Sequence, residues 1–141
     1  MKLYSSKVPV IAMDIVRVLT AEKDIEVTSA REVEADIEAV LREYLRMERD
    51  LTEKAKDRVE QVGGGREDIA RVKKTMAEAK NIGLGGDAIS FILNQIIVML
   101  MRSPHVDEVF SEDDVIRRKA KKVLERHMAA DEELDKEVRD Q

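Results

Sequence analysis

The sequence predicts an all-α protein of five helices, internally duplicated, elongated and related by a pseudo-twofold axis. Three observations carry that prediction. Charged residues make up 39% of the 141-residue chain and aromatics 3%, so the core must come from Val, Ile, Leu, Met and Ala, as in helical, coiled-coil-like chains. Glycines and prolines are few and clustered, which leaves long stretches uninterrupted for helix. The chain also reads as though written twice. Asp14-Ile15-Val16-Arg17-Val18-Leu19 aligns with Gln95-Ile96-Ile97-Val98-Met99-Leu100. Ile25-Glu26-Val27 then falls near Asp107-Glu108-Val109, and Ser29 on Ser111. Val33, Ile37, Val40, Tyr44 and Leu51 fall on Ile116, Ala120, Val123, His127 and Leu134, and Asp50 to Asp57 reads like Glu133 to Asp140. Fixed self-similarity of this kind argues for repeated supersecondary units. Residues 1–62 form the first repeat, 63–87 a glycine-flanked bridging helix, and 88–141 the second repeat.

The first helix is expected from about Ser6 to Glu22, with Pro9 in the first turn, where a missing N–H costs nothing. Ile11, Ile15, Val18 and Leu19 form its apolar stripe. Lys23 to Thr28 is a loop in which Ile25, Glu26 and Val27 alternate enough for a very short extended segment. Ser29 is a natural N-cap for the second helix, and Glu32 completes a capping box. Val33, Ile37, Val40, Tyr44, Met47 and Leu51 step by fours and threes, a heptad seam, with Ala55, Val59 and Val62 continuing it as the register drifts. That helix should run roughly 50 Å at 1.5 Å per residue and end at Gly63-Gly64-Gly65. A third helix, about Arg66 to Asn81, sets Ile69, Val72, Met76 and Ile82 on one face, with Gly83 as its C-cap. Asp87 can cap the fourth helix, Ala88 to Arg102. This helix is apolar on nearly every side and belongs at the centre of the fold. Ser103-Pro104 stops it. Ser111 caps the fifth helix with Asp114 at the acidic position and a Phe110–Val115 staple. Ile116, Ala120, Val123, His127, Ala130 and Leu134 repeat the seam.

A net charge of −5 favours solubility and disfavours broad nucleic-acid binding. The chain has no Cys, which excludes disulfides and thiolate metal sites and suits a cytoplasmic protein. The N-terminal residues lack a long apolar run followed by a small-residue cleavage site, so no signal peptide is read. The fourth helix falls short of the about 20 apolar residues a bilayer requires, and Asn94 and Gln95 interrupt it, so no membrane span is expected.

Three segments carry a family resemblance: Lys7-Val8-Pro9-Val10-Ile11-Ala12, Asp24-Ile25-Glu26-Val27, and Glu32-Val33-Glu34-Ala35-Asp36-Ile37-Glu38-Ala39-Val40-Leu41-Arg42-Glu43-Tyr44-Leu45. In these the chain resembles, over essentially its whole length, a bacterial family known as domain of unknown function five-hundred-and-seven. The resemblance implies an all-helical bacterial protein, Y-shaped with two helical lobes. It brings no activity, ligand or catalytic residue with it.

Candidate sites are few. His105 and His127 are the only histidines, and neither lies in a His-x-x-x-His or paired Glu-x-x-His pattern, so no metal or other cofactor is expected. His127 holds the seam position equivalent to Tyr44. Its plain reading is a packed, hydrogen-bonded interfacial residue; the sharper one is a pH-sensitive helix–helix contact. His105 has no nucleophile with an orienting partner beside it in the sequence. The glycine stretches at 63–65 and 83–86 lack the phosphate-loop pattern and follow no strand, so they read as turns. Arg117, Arg118, Lys119, Lys121 and Lys122 form the strongest basic patch. Asp113 and Asp114 stand four residues before Arg117 and Arg118, so a solvated, ion-paired face is weighed against a contact with nucleic acid or anionic lipid. No catalytic constellation is present; Asp14 and His105 near the repeat loops are the only support for an enzyme. The expected function is a non-enzymatic helical protein–protein interaction or assembly module, with a protein partner or self-association. The alternative is an RNA- or ribosome-associated accessory factor using the basic face of the last helix.

Overall fold

A computed structural model describes the backbone of residues 2–140 and the side chains of residues 2–128. Five α-helices and one two-stranded sheet are present among the described residues: α1 (Val8–Ala21), β1 (Ile25–Val27), α2 (Ala30–Gln61), α3 (Arg66–Ala79), α4 (Ala88–Arg102), β2 (Val106–Val109) and α5 (Asp113–Asp140). The fold is therefore mostly helical, and the all-helix expectation is corrected by the small sheet. The two inter-helix loops that alternate apolar and acidic residues find each other and pair antiparallel, Ile25 with Val109 and Glu26 with Glu108. Ile25 faces the core while Glu26 and Glu108 face water, where their like charges are screened.

The core is drawn from both ends of the chain. Val8, Ile11, Ile15 and Leu19 of α1 meet Val33, Ile37 and Leu41 of α2, Ile92, Ile96 and Leu100 of α4, and Ile116, Val123 and Leu124 of α5. Each long helix packs on the two short ones, α1 and α4, and not seam to seam on the other. The reason is visible in α2. Its buried positions are Val33, Ile37, Leu41, Tyr44, Leu51, Ala55 and Val59, so the seam steps four, four, three rather than strictly four, three. That average lies close to the 3.6-residue turn of a straight helix and away from the 3.5 period of a left-handed supercoil. Leu41 takes the place expected for Val40, Met47 sits half-buried on the flank, and Val62 is 76% exposed. In α5, Ile116, Ala120 and Val123 are buried as expected, while Ala130 and Leu134 lie outside the described side chains.

Beyond Tyr44, α2 leaves the four-helix core and is covered by α3, which folds back along it; Leu51, Ala55 and Val59 of α2 and Ala77 of α3 close a second, smaller apolar contact. Ile69, Val72 and Met76 are half-buried in that contact. The turn after α3 differs from expectation. Asn81, at φ +57°, takes the left-handed position expected for Gly83. Gly83 serves close approach instead: a Cβ there would sit 2.5 Å from the carbonyl oxygen of Asp87. Its own carbonyl accepts a 2.8 Å hydrogen bond from the Tyr44 hydroxyl. Burial and the nearby Glu48 carboxylate push that phenol up to about 12, so it is neutral at physiological pH and free to donate. Removing this single bond with Tyr44→Phe is expected to cost about 1 kcal/mol in urea denaturation.

Two caps are also corrected. Ser29 accepts from the Glu32 amide at 3.3 Å, as the sequence implies. Asp87, however, lies in a tight 3-10 turn (Gly85–Asp87) and makes no side-chain cap. Ser111 does not cap α5; its hydroxyl is drawn to Asp24 across the fold, and Glu112 supplies the carbonyl for the first helical bond, to Ile116. Phe110 stands 59% exposed rather than closing a staple. Finally, α4 is not buried all round. Ala88, Ile92, Leu93, Ile96, Ile97 and Leu100 face the core, whereas Val98 and Met101 are 45% and 54% exposed. The small domain covers one side of this helix only. By length and composition alone, Gly85–Arg102 is long and apolar enough to cross a membrane.

Candidate functional site

The sequence-predicted residues lie along α5, whose N-terminal half packs on α1 and α4. The structure divides the basic run in two. Lys119 leaves the expected solvent-facing fan: its ammonium lies 2.6 Å from Asp24 Oδ2 and 2.9 Å from Glu22 Oε2, with the side chain only 16% exposed. Arg117 reaches Asn94 Oδ1 on α4 at 2.7 Å rather than an acid one turn back. Arg118, Lys121 and Lys122 remain exposed. A run that looks like a single patch in sequence is half structural tether, because a helix turns successive residues through about 100° and presents alternate members to different neighbours.

Asp24 is the centre of the tether. It is 4% exposed, accepts from Ser111 Oγ at 2.6 Å and from Lys119, and its carbonyl oxygen accepts the backbone amides of Phe110 and Ser111 at 2.8 and 3.2 Å. Burial would raise its pKa. The hydrogen bonds from Lys119 and Ser111, with the charges of Lys119 and Arg118, outweigh that and hold it below the ordinary carboxylate value. Between the strands, the Thr28 hydroxyl donates to Asp107 and the Thr28 amide to the His105 carbonyl.

His127 reaches a carboxylate too. Its Nε2 lies 2.6 Å from Oδ2 of Asp14, a buried acid on α1; Arg126 approaches the same oxygen at 3.2 Å, and Arg17 holds Oδ1 at 2.5 Å. Asp14 thus meets His127 and not His105, whose Nε2 lies 3.8 Å from Glu32. Burial pushes Asp14 upward, but the His127 hydrogen bond and the charges of Arg17, His127 and Arg126 bring it below its ordinary value. A carboxyl whose folded pKa is depressed contributes stability above the unfolded value near 3.8, and that contribution is lost as pH falls through the folded value. Asp14→Asn is therefore expected to cost about 1–2 kcal/mol at pH 7, kept modest by the exposed arginine heads, with the gap to wild type closing below about pH 4. Chemical denaturation at stepped pH measures both. His127→Leu bears on the pH-sensitive reading: a stability profile parallel to wild type from about pH 5 to 8 removes it.

Sequence reasoning missed the tethering roles of Asp14 and Asp24. The signal for Asp14 was present: an acid three residues after Ile11 and next to Ile15, inside an apolar stripe, needs a buried partner. Nothing local marks Asp24, whose partners lie 87 and 95 residues away.

A second feature lies between α2 and α4. A cavity of about 550 Å³ opens there, lined among others by Asp36, Val40, Glu43 and Met47 of α2 and Phe91 and Met99 of α4. The Tyr44 and Phe91 rings, 5.8 Å apart, form part of its lining. Among the described residues no group of three or more His, Asp or Glu side chains is placed to hold a metal ion.

The model of the family described as Protein of unknown function (DUF507) matches residues 1–141, the entire chain. The chain belongs to the DUF507 family. No curated protein matches it. Membership agrees with the helical fold and with the resemblance carried by the Lys7 to Ala12 and Glu32 to Leu45 segments.

Proposed function

We propose that this DUF507 chain is a non-enzymatic, cytoplasmic bacterial protein–protein interaction or assembly module, built by internal duplication about a pseudo-twofold axis. The observation that carries the interaction reading is the apolar surface left open on the short helices: Met13 of α1 and Val98 and Met101 of α4 are each 45–54% exposed. Val98 and Met101 stand three residues apart on one face of α4, an apolar surface that a protein partner can cover. The duplication is supported by the strand pairing. Glu26 lies opposite Glu108, its partner in the sequence repeat, as an axis through that pair requires. α1 and α4 likewise each pack on both long helices. The α2–α3 hairpin projects from the core as one arm, and α5 supplies the other in a Y-shaped outline.

Affinity purification from the native host, with and without nuclease, followed by mass spectrometry, tests this reading. One stoichiometric protein that survives nuclease supports it. Recovery of ribosomal or RNA-bound proteins that vanish with nuclease replaces it with the RNA-associated alternative. That alternative has fewer residues to rest on, since Lys119 and Arg117 are committed within the fold.

A further inference from the structure

We propose that the groove between α2 and α4 is the docking site for an amphipathic helix of a protein partner, one that carries basic residues a heptad apart beside its apolar face. The inference rests on the interaction reading above and names where and by what chemistry it operates.

Spacing is the first argument. The α2 wall presents Asp36, Val40, Glu43 and Met47, which step by four, three and four; the α4 wall presents Phe91 and Met99, two turns apart. Two helices that offer such lanes side by side form the groove into which a third helix lays its i, i+3, i+4 and i+7 side chains. From Asp36 to Met47 the α2 wall runs roughly 16 Å, about three turns of an incoming helix. A surface built for a compact ligand would need convergent polar groups at one end. Here the polar groups repeat along the wall.

Charge is the second argument. Asp36 and Glu43 are seven residues apart on the same face, and no Lys or Arg lines the groove. Asp36 accepts only the Ser103 hydroxyl, at 2.9 Å, and among the described residues no cation meets it. Glu43 is held by Arg46 through two hydrogen bonds, at 2.9 and 2.5 Å, with both side chains about half exposed. The repeat makes the contrast plain. The positions of α5 that match Asp36 and Glu43 are Lys119 and Arg126, and both are satisfied within the chain by Asp24 and Asp14. The α1–α5 junction thus carries its own counter-charges, while in the α2–α4 groove Asp36 meets no cation among the described residues and Glu43 is paired only by the half-exposed Arg46. The last helix of a second copy fits less well, because its basic pair seven residues apart, Lys119 and Arg126, is already engaged, and the sequence beyond Ala130 is rich in acids.

The test uses the full chain and two synthetic helical peptides. One has leucines along one face and lysines seven residues apart beside it; the other has glutamates in the lysine positions. Amide chemical-shift mapping is expected to place the basic peptide on residues 36–47 and 91–99. Asp36→Lys/Glu43→Lys is expected to weaken it tenfold or more and to gain the acidic peptide. Ala39→Arg, which adds bulk at the exposed lip without touching the core, is expected to block both while leaving the melting temperature unchanged. Shifts elsewhere, undiminished binding by the charge-reversed variant, or equal binding of a lysine–alanine peptide without the leucine face overturn the proposal. So does 1,8-diaminooctane saturating the same amides as tightly as the peptide, which would make the site one for a small organic cation. Host pull-downs with the Ala39→Arg chain separate the two readings. A stoichiometric partner kept by wild type and variant alike overturns the groove alone; no such partner with wild type overturns the interaction reading itself.

Discussion

Replacing Ile96 by alanine is expected to lower the stability of the fold by about 2–5 kcal/mol. Ile96 is fully buried in α4, where the core residues of α1, α2 and α5 converge. Removing its branched side chain loses transfer free energy and leaves a cavity that four helices, fixed by their own contacts, cannot all move to fill. Urea denaturation followed by helical circular dichroism measures the shift in midpoint, with an unchanged slope if the native state keeps its compactness. The contrast is Val98→Ala on the same helix, at 45% exposure, which is expected to stay within about 0.5 kcal/mol of wild type. A similar cost at both sites would mean that α4 has no core face distinct from its open one.

Asp24→Ala is expected to cost about 2–4 kcal/mol at neutral pH, more than any other polar substitution considered. It removes the partner of the Ser111 hydroxyl and the buried one of the two carboxylates that hold the Lys119 ammonium, leaving only the exposed Glu22, and so loosens the start of α5 from the end of α1. Part of that cost is the Lys119 charge left with the exposed Glu22 alone, and not the net worth of the pair. Adding Lys119→Met to Asp24→Ala should therefore recover part of the loss, which a double-mutant cycle reads directly. The pH dependence has a definite sign. Because the folded carboxyl is held below its ordinary value of 3.8, its contribution is full above that value and disappears as pH falls through the lowered one. Wild type and Asp24→Ala should then converge in acid and diverge toward neutrality. A gap that stays constant down to about pH 3 would show that the charge on Asp24 contributes nothing.

The two positions differ in how far they could be read beforehand. Ile96 announces itself, because it belongs to an apolar run too dense for any exposed helix. Asp24 does not: its neighbours in sequence are a loop, and its meaning comes from Ser111 and Lys119. The basic face shows the same divide within six residues. Sequence alone identifies Arg117 to Lys122 as cationic, but only packing commits Lys119 and Arg117 to the fold and leaves Arg118, Lys121 and Lys122 outside.

What the sequence determined by itself is local. Helical periodicity, the Ser29 cap and the glycine and proline stops mark α1 to α5 to within a few residues, because hydrogen bonding and side-chain spacing along a helix are set by near neighbours. The same local evidence placed His127 on an interface and the Lys7 to Leu45 segments in their family. Tertiary structure decided the rest. It joined a three-residue and a four-residue segment into a sheet, since an isolated strand has no ladder partner until another arrives from about 80 residues away. It chose Leu41 over Val40, because a straight α2 turns its seam at 3.6 residues and not 3.5. It also left α4 half open, because a chain of this size has enough helix to cover only one of its faces.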